Sequence, residues 1–292
     1  MERHNQITKQ SYGLACCKFI DGILHVLMVK KKYSYAFFEF VFCKYPKFDR
    51  KKLDELFNGM TFQEKKDILE LNFDKLWCKI VLNVPDDPNS MAKKTKLKKL
   101  VGKLKTDVDT KEIEEIEEKK YEMTPKEKEY QTYLIKKNRF IELIDDGGRK
   151  LRDIISHSKS ADPIWEIPKG RPECNEKPFD TAIREFYEET TINIDKYRIL
   201  YDINPIKINY VIGDCLYNNE YFVAIADKDL MINNEYNRYD NNIEVEEIRW
   251  INVNEVPFLN KGQHTYKRMI SLVNCVSKIV KQNKPLYTKM LV

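Results

Sequence analysis

The stretch that most restricts how this chain can fold is GRPECNEKPFDTAIREFYEETTI, residues 170–192. Pro168-Lys169-Gly170 reads as a tight turn leaving a strand. Pro178 suits the first position of a helix, and Asp180 lies where a carboxylate favours the positive helix end. Ala182, Ile183, Phe186 and Thr190 then make one buried side of that helix, while Glu185, Glu188 and Glu189 converge on another arc. Like charges one helical turn apart cost about 0.2–0.5 kcal/mol per pair even on an exposed helix. A cluster facing a cleft therefore either raises its pKa values or recruits a cation. Carboxylate and carbonyl oxygens select a hard divalent ion, Mg2+ or Mn2+, and such ions commonly bridge protein carboxylates to phosphates. The plainer alternative is that Arg184 and Lys177 balance a solvated acidic face, and for a bare ExxEE it would be the better reading.

The remainder of the chain must supply a core and a sheet. At 292 residues, 42% hydrophobic and 12% aromatic, the composition excludes general disorder and allows one large domain or two smaller ones. A net charge of +5 is mild, so any nucleic-acid affinity has to come from local clustering. Seven cysteines without a CxxC spacing point to free thiols in a reducing compartment. The four histidines show no zinc spacing, which again turns the metal expectation toward oxygen ligands. MERHNQITKQ lacks a secretory core and ILHVLMV is far short of the ~20 residues that span a bilayer. A soluble protein without a membrane partner is expected.

Along the chain, YGLACCKFIDGILHVLMVKKK is two apolar runs broken by Asp21-Gly22, which predicts a hairpin. Helical spacing follows, with Leu53, Leu56, Phe57, Ile68, Leu69 and Leu76 as its apolar positions. In MAKKTKLKKLVGKLK, Leu97, Leu100, Val101 and Leu104 fall on one helical face, leaving Lys93, Lys94, Lys96, Lys98, Lys99, Lys103 and Lys105 mostly on the other. Phe62, Phe73 and Trp77 are read as bundle core rather than as base-stacking groups. Strand character returns in PIWEIPKG, YRILYDI, INYVIG, EYFVAIA and EIRWINV, and a last amphipathic helix is predicted from about Thr265 to Gln282. The expected class is α+β, with N-terminal strands (1–33) and the remainder of the chain (149–292) sharing one sheet. A mainly α-helical domain (34–148) is inserted between them.

Gly170, Glu176, Arg184, Glu185, Phe186, Glu188, Glu189 and Ile192 fill eight of the nine fixed places of Gx5Ex7REUxEExGU, where U is bulky and apolar. This resembles the Nudix box. The resemblance implies a Nudix fold, a mixed sheet between helices, and a hydrolase of nucleoside diphosphate linkages. It implies divalent metal held by Glu185, Glu188, Glu189 and the backbone carbonyl of Gly170. Thr191 stands where the family usually has glycine. If a positive φ were needed there, a side chain would cost about 1–2 kcal/mol, so a different helix ending is expected. KKYSYAFFEFVF (31–42), LNFDKLWCKIV (71–81) and WEIPKGRP (165–172) are similar to the mRNA-decapping Nudix enzymes of large cytoplasmic DNA viruses, of African swine fever virus type and more distantly poxvirus type.

That similarity implies cleavage of the 5′ m7GpppN cap to m7GDP and 5′-monophosphate RNA in the host cytoplasm, by an enzyme that viruses can package in the virion. Capped RNA is the implied partner. Diphosphoinositol polyphosphates or nucleotides are the alternative substrates, and a non-catalytic RNA-binding module is a third reading. Glu185, Glu188 and Glu189 are expected to divide metal binding and proton abstraction among themselves. Glu244, six residues before Trp250 in IEVEEIRW, matches a catalytic-loop glutamate of cellular decapping relatives, which makes it a further ligand or base. A solvated loop acid is the equal alternative. Lys169 and Arg171 flank the turn and could clamp phosphates. Tyr217 is the candidate for stacking on the cationic cap base. The inserted domain is the expected RNA binder, through the seven lysines of 93–105.

Overall fold

A computed structural model of the chain describes residues 7–47, 49–81, 125–212, 215–232 and 244–283. The chain divides into two compact units. One holds Met1–Ser34, Asn58–Thr61 and Lys159–Val292, and the other holds Tyr35–Phe57 and Phe62–Ser158.

The first unit begins with the predicted hairpin: β1 (Ile7–Ile20) and β2 (Ile23–Lys31) pair antiparallel, Ile20 opposite Ile23. Asp21 (φ 49°) and Gly22 (φ 76°) both take positive φ, the backbone that a two-residue hairpin turn requires. β3 (Trp165–Glu166), β4 (Lys169–Gly170), β5 (Tyr197–Ile199), β6 (Ile206–Ile212), β7 (Cys215–Ala226) and β8 (Val245–Asn252) complete an eight-stranded sheet. Its path runs β3-β2-β1-β7-β5; β4 adds to β1, β6 to β7 and β8 to β2. β1 and β7 are parallel over Ile7↔Cys215 to Cys17↔Ile225, and the other pairs are antiparallel, so the sheet is mixed.

β1 is buried on both faces, which explains why GLACC reads as an unbroken apolar run. Ala15 and Cys17 point into a core with the last helix, whose Met269, Leu272, Val273, Val276 and Val280 form an i, i+3, i+4, i+7, i+11 stripe. Leu14 and Cys16 point into a second core with Phe186, Ala224 and Ile248. The sheet is thus covered by a helix on each side, as the Nudix expectation required.

The second unit is α-helical: α1 (Tyr35–Val41), α2 (Arg50–Asn58), α3 (Phe62–Glu70), α4 (Phe73–Val81), α5 (Pro125–Leu143) and α6 (Arg149–His157). Its core is aromatic. Phe40 lies 5.2 Å from Phe57 and 6.2 Å from Phe140, and Phe73 lies 5.8 Å from Trp77, centroid to centroid. Phe73 and Trp77 are buried as expected, but Phe62 is 72% exposed, because it opens α3 with its side chain toward solvent. The lysines from Lys93 to Lys105 lie outside the described residues. α7 (Pro178–Thr190) and α8 (Tyr266–Gln282) belong to the first unit. No helix among the described residues is long and apolar enough to cross a membrane.

Candidate active site

The carboxylate helix α7 starts at Pro178 in the N1 position with Asp180 in its first turn, where missing N–H and helix dipole favour each. Phe186, fully buried, fastens α7 to the sheet; burying a side chain of this size contributes about 1.5–3 kcal/mol. The helix ends on Thr191 in the left-handed region (φ 59°, ψ 11°), its N–H donating to the Tyr187 carbonyl at 2.7 Å. The expected different ending is therefore wrong: Thr191 takes the glycine conformation despite its branched side chain.

The turn before α7 is clamped by one guanidinium. Arg184 donates from Nε to Glu176 Oε1 and from Nη2 to Glu176 Oε2, both at 2.8 Å, and from Nη2 to the Arg171 carbonyl at 2.9 Å. Glu176 also accepts from Thr181 Oγ1 at 2.8 Å and from the Glu173 N–H at 2.9 Å. The Arg184 hydrogen bonds hold its carboxyl well down, to about 2. Glu176 and Arg184 thus tie loop to helix. Arg184 Nη1 reaches two further carboxylates, Glu185 at 2.9 Å and Glu188 at 3.0 Å.

Gly170 is the residue against which Glu185 packs. A Cβ at position 170 would lie 2.0 Å from the Glu185 carboxyl carbon and 2.1 Å from its Oε2, so no other amino acid fits without moving that carboxylate. Burial pushes the Glu185 pKa upward, against the pull of Arg184. Glu189 is buried on the sheet side of α7, 5% exposed, whereas Glu188 faces solvent. The two thus lie at opposite edges of the arc, one covered by the sheet and one open to solvent. Burial pushes Glu189 up to about 7, even though an ammonium lies against it.

That ammonium is Lys31, at the end of β2. Its Nζ lies 2.5 Å from Glu189 Oε1, 3.2 Å from Glu244 Oε2 and 3.4 Å from Glu166 Oε1. Lys169 Nζ adds a bond to Glu166 Oε2 at 2.9 Å. Glu244, just before β8, is also held through its carbonyl by the Lys32 N–H at 2.8 Å. Glu185, Glu188, Glu189, Glu244, Lys169 and the Gly170 backbone thus belong to one neighbourhood. Arg171 stands exposed beside it. Tyr217 does not join them. Alternation along β7 puts it on the face of Tyr221 and Val223, the α8 side, where its ring stacks on Tyr210 at 5.0 Å.

Sequence reasoning missed Lys31 and Glu166. A signal existed for Lys31: Leu27, Val29 and Lys31 alternate on the face that α7 covers, so the buried stripe of β2 ends in a lysine. Glu166 is paired across from Val29, between the buried Trp165 and Ile167.

Chemically, the ion pairs among the described residues join six carboxylates (Glu166, Glu176, Glu185, Glu188, Glu189, Glu244) to three basic side chains (Lys31, Lys169, Arg184). Among the described residues these donors are all oxygen, and Glu185 lies against the backbone of Gly170. That donor set fits a hard divalent cation. Among the described residues no three acidic, His or Cys groups form a ready-made chelate. In this structure Arg184 and Lys31 hold the carboxylates.

Comparison with known proteins agrees with this chemistry. The NUDIX domain matches residues 141–273. The mRNA-decapping protein g5R of African swine fever virus (isolate Pig/Kenya/KEN-50/1950) is 32% identical over 262 residues, 87% of this chain and 89% of that one. An Acanthamoeba polyphaga mimivirus protein, provisionally named an mRNA-decapping protein, is 28% identical over 264 residues, 87% of this chain and 65% of its own. Among solved structures, a C. elegans Ap4A hydrolase aligns with 94% of this chain and 98% of its own at 11% identity and a TM-score of 0.41, too loose to carry an argument. The box at residues 170–192, the sheet between two helices and the extent of the viral likeness converge: this chain belongs to the Nudix hydrolase family.

Proposed function

We propose that this Nudix hydrolase removes the 5′ cap of mRNA, releasing m7GDP and RNA with a 5′ monophosphate. The observation that carries the reading is the carboxylate surplus around Gly170 and α7, in a chain whose viral relatives bear the name of mRNA-decapping proteins. A polyphosphate cannot approach so acidic a place unaided, and a bound Mg2+ or Mn2+ would neutralise it, polarise the scissile linkage and acidify water. Glu185, Glu188, Glu189 and the carbonyl of Gly170 are the groups we assign to hold the ion.

Glu185, Glu188 and Glu244 share the acceptance of the proton from the attacking water, which requires a carboxylate within hydrogen-bond reach. Lys169 and Arg171, on either side of Gly170, neutralise phosphate oxygens as the bond breaks. The helical unit and the lysines of 93–105 carry the RNA body, and the reaction takes place in the host cytoplasm.

The test is product identification from cap-labelled RNA. Labelled m7GDP formed only with divalent ion, and lost in Glu188→Gln, supports the reading. Turnover of a diphosphoinositol phosphate or a free nucleotide with no m7GDP from RNA would overturn it.

A further inference from the structure

Lys31 demands an explanation that the acidic helix alone does not give. Its stem continues the buried stripe of Leu27 and Val29 beneath α7, and it is 9% exposed. Placing a cation there costs desolvation, which only good pairing offsets. The backbone is shaped to pair it. The register of β2 on β8 slips between Lys30 and Lys31, so that Val29 faces Ile248 but Lys31 faces Val245. Val245 and Ile248 are three residues apart, an odd spacing that in a regular strand would put them on opposite faces. The slip, a β-bulge, lets both point to the α7 side, and it brings Glu244 to the Lys31 ammonium at 3.2 Å. One ammonium therefore gathers carboxylates from three separate segments: Glu166 of β3, Glu189 of α7 and Glu244 before β8.

We propose that Lys31 is a positioning residue that acts as the built-in counter-cation of this site, holding Glu189 and Glu244 together when no divalent ion is present and competing with that ion. This rests on the metal-dependent reading above. The physical consequence is a linkage. Removing Lys31 leaves buried negative charge uncompensated in the ion-free protein, while a divalent ion restores the compensation. Loss of a purely structural ion pair would instead weaken the ion-free and the ion-bound protein equally.

The experiment is a Mn2+ titration of the full-length protein, freed of ion by chelation, with the free aquo-ion followed by electron paramagnetic resonance. Lys31→Met is expected to bind Mn2+ at least about tenfold tighter than the parent. Its thermal midpoint should lie below the parent's without ion and approach it at saturating Mn2+. Binding no tighter than the parent's, or an equal loss of midpoint in both states, overturns the proposal. If Lys31→Met folds only with Mn2+, the proposal is supported. If it folds in neither state, Lys31→Met is compared with Lys31 intact in the Glu166→Gln background, where one lost cation is matched by one lost anion that is not among the groups assigned to the ion. There again it must tighten Mn2+ binding, and failure to do so overturns the proposal. A parent that binds no Mn2+ would contradict the metal-dependent reading itself, whereas a parent that binds beside a variant that binds no tighter contradicts only the role of Lys31.

Discussion

The contact between Gly170 and Glu185 is the tightest constraint on any single residue of the site. Gly170→Ala must displace the Glu185 carboxylate, since the new methyl would overlap it at 2.0 Å. We expect decapping to fall by about 100-fold or more, as misplacing a reacting group by about 1 Å can do. The thermal midpoint should change little, so rate and midpoint measured together check it. Thr191 makes the opposite case, a branched residue in a backbone region that favours glycine. Thr191→Gly relieves a left-handed φ of 59° and should stabilise by about 1 kcal/mol after the added freedom of the unfolded chain is subtracted, read as a small rise in the denaturation midpoint. Glu176 supplies a pH dependence. Its folded pKa, about 2, lies below the value of a free glutamate, so its contribution is present above that free value and is lost as pH falls toward about 2. Urea midpoints of the parent and Glu176→Gln should differ at pH 7 and converge with acid. The box glutamates were legible in the sequence because their spacing is fixed by one helix. Lys31 was hidden because its partners come from other segments, and a lysine among three at a strand end looks like punctuation.

At the scale of elements, α7 is attached to the sheet chiefly through Phe186, whose neighbours Leu14, Cys16 and Ala224 leave it no exposure. Phe186→Ala should cost about 3–5 kcal/mol and lower the thermal midpoint by several degrees, and it should weaken Mn2+ binding because the helix that carries the glutamates loosens. The hairpin at Asp21-Gly22, the start of α7 at Pro178 and the span of α8 could all be read from local chemistry, because turn residues, a helix-starting proline and a periodic stripe are written in contiguous sequence. Elements whose form depends on distant partners were read less well. β5 stops at Ile199 although YRILYDI is apolar further, since the antiparallel pairing with β7 extends only over Tyr197–Ile199. The bulge between Lys30 and Lys31 left no local mark, because it is set by the register of β8. Tyr217 was chosen for its type, and the parity of β7 sends it to the other side of the sheet.

Over the whole molecule, a catalytic unit with a local excess of acid sits in a chain of net charge +5, so basic charge has to be concentrated elsewhere. The seven lysines of 93–105 are the densest such run, and the RNA-binding role proposed for them is electrostatic and thus salt-dependent. Replacing all seven by glutamine should weaken binding of capped RNA and reduce the slope of log affinity against log salt by up to about 5, with the cleavage of a free cap analogue little changed. Filter-binding titrations across salt concentrations measure it. The α+β class and the Nudix motif were visible in the sequence, because patterning and fixed spacing carry them. How the carboxylates share their cations was not, since that depends on three segments meeting in space. The most direct test of the account is the anomalous difference density of crystals soaked in Mn2+. The account predicts a peak among Glu185, Glu188, Glu189 and the carbonyl of Gly170, absent from Glu189→Gln or reduced there. A fully loaded crystal with no peak in that neighbourhood would contradict it.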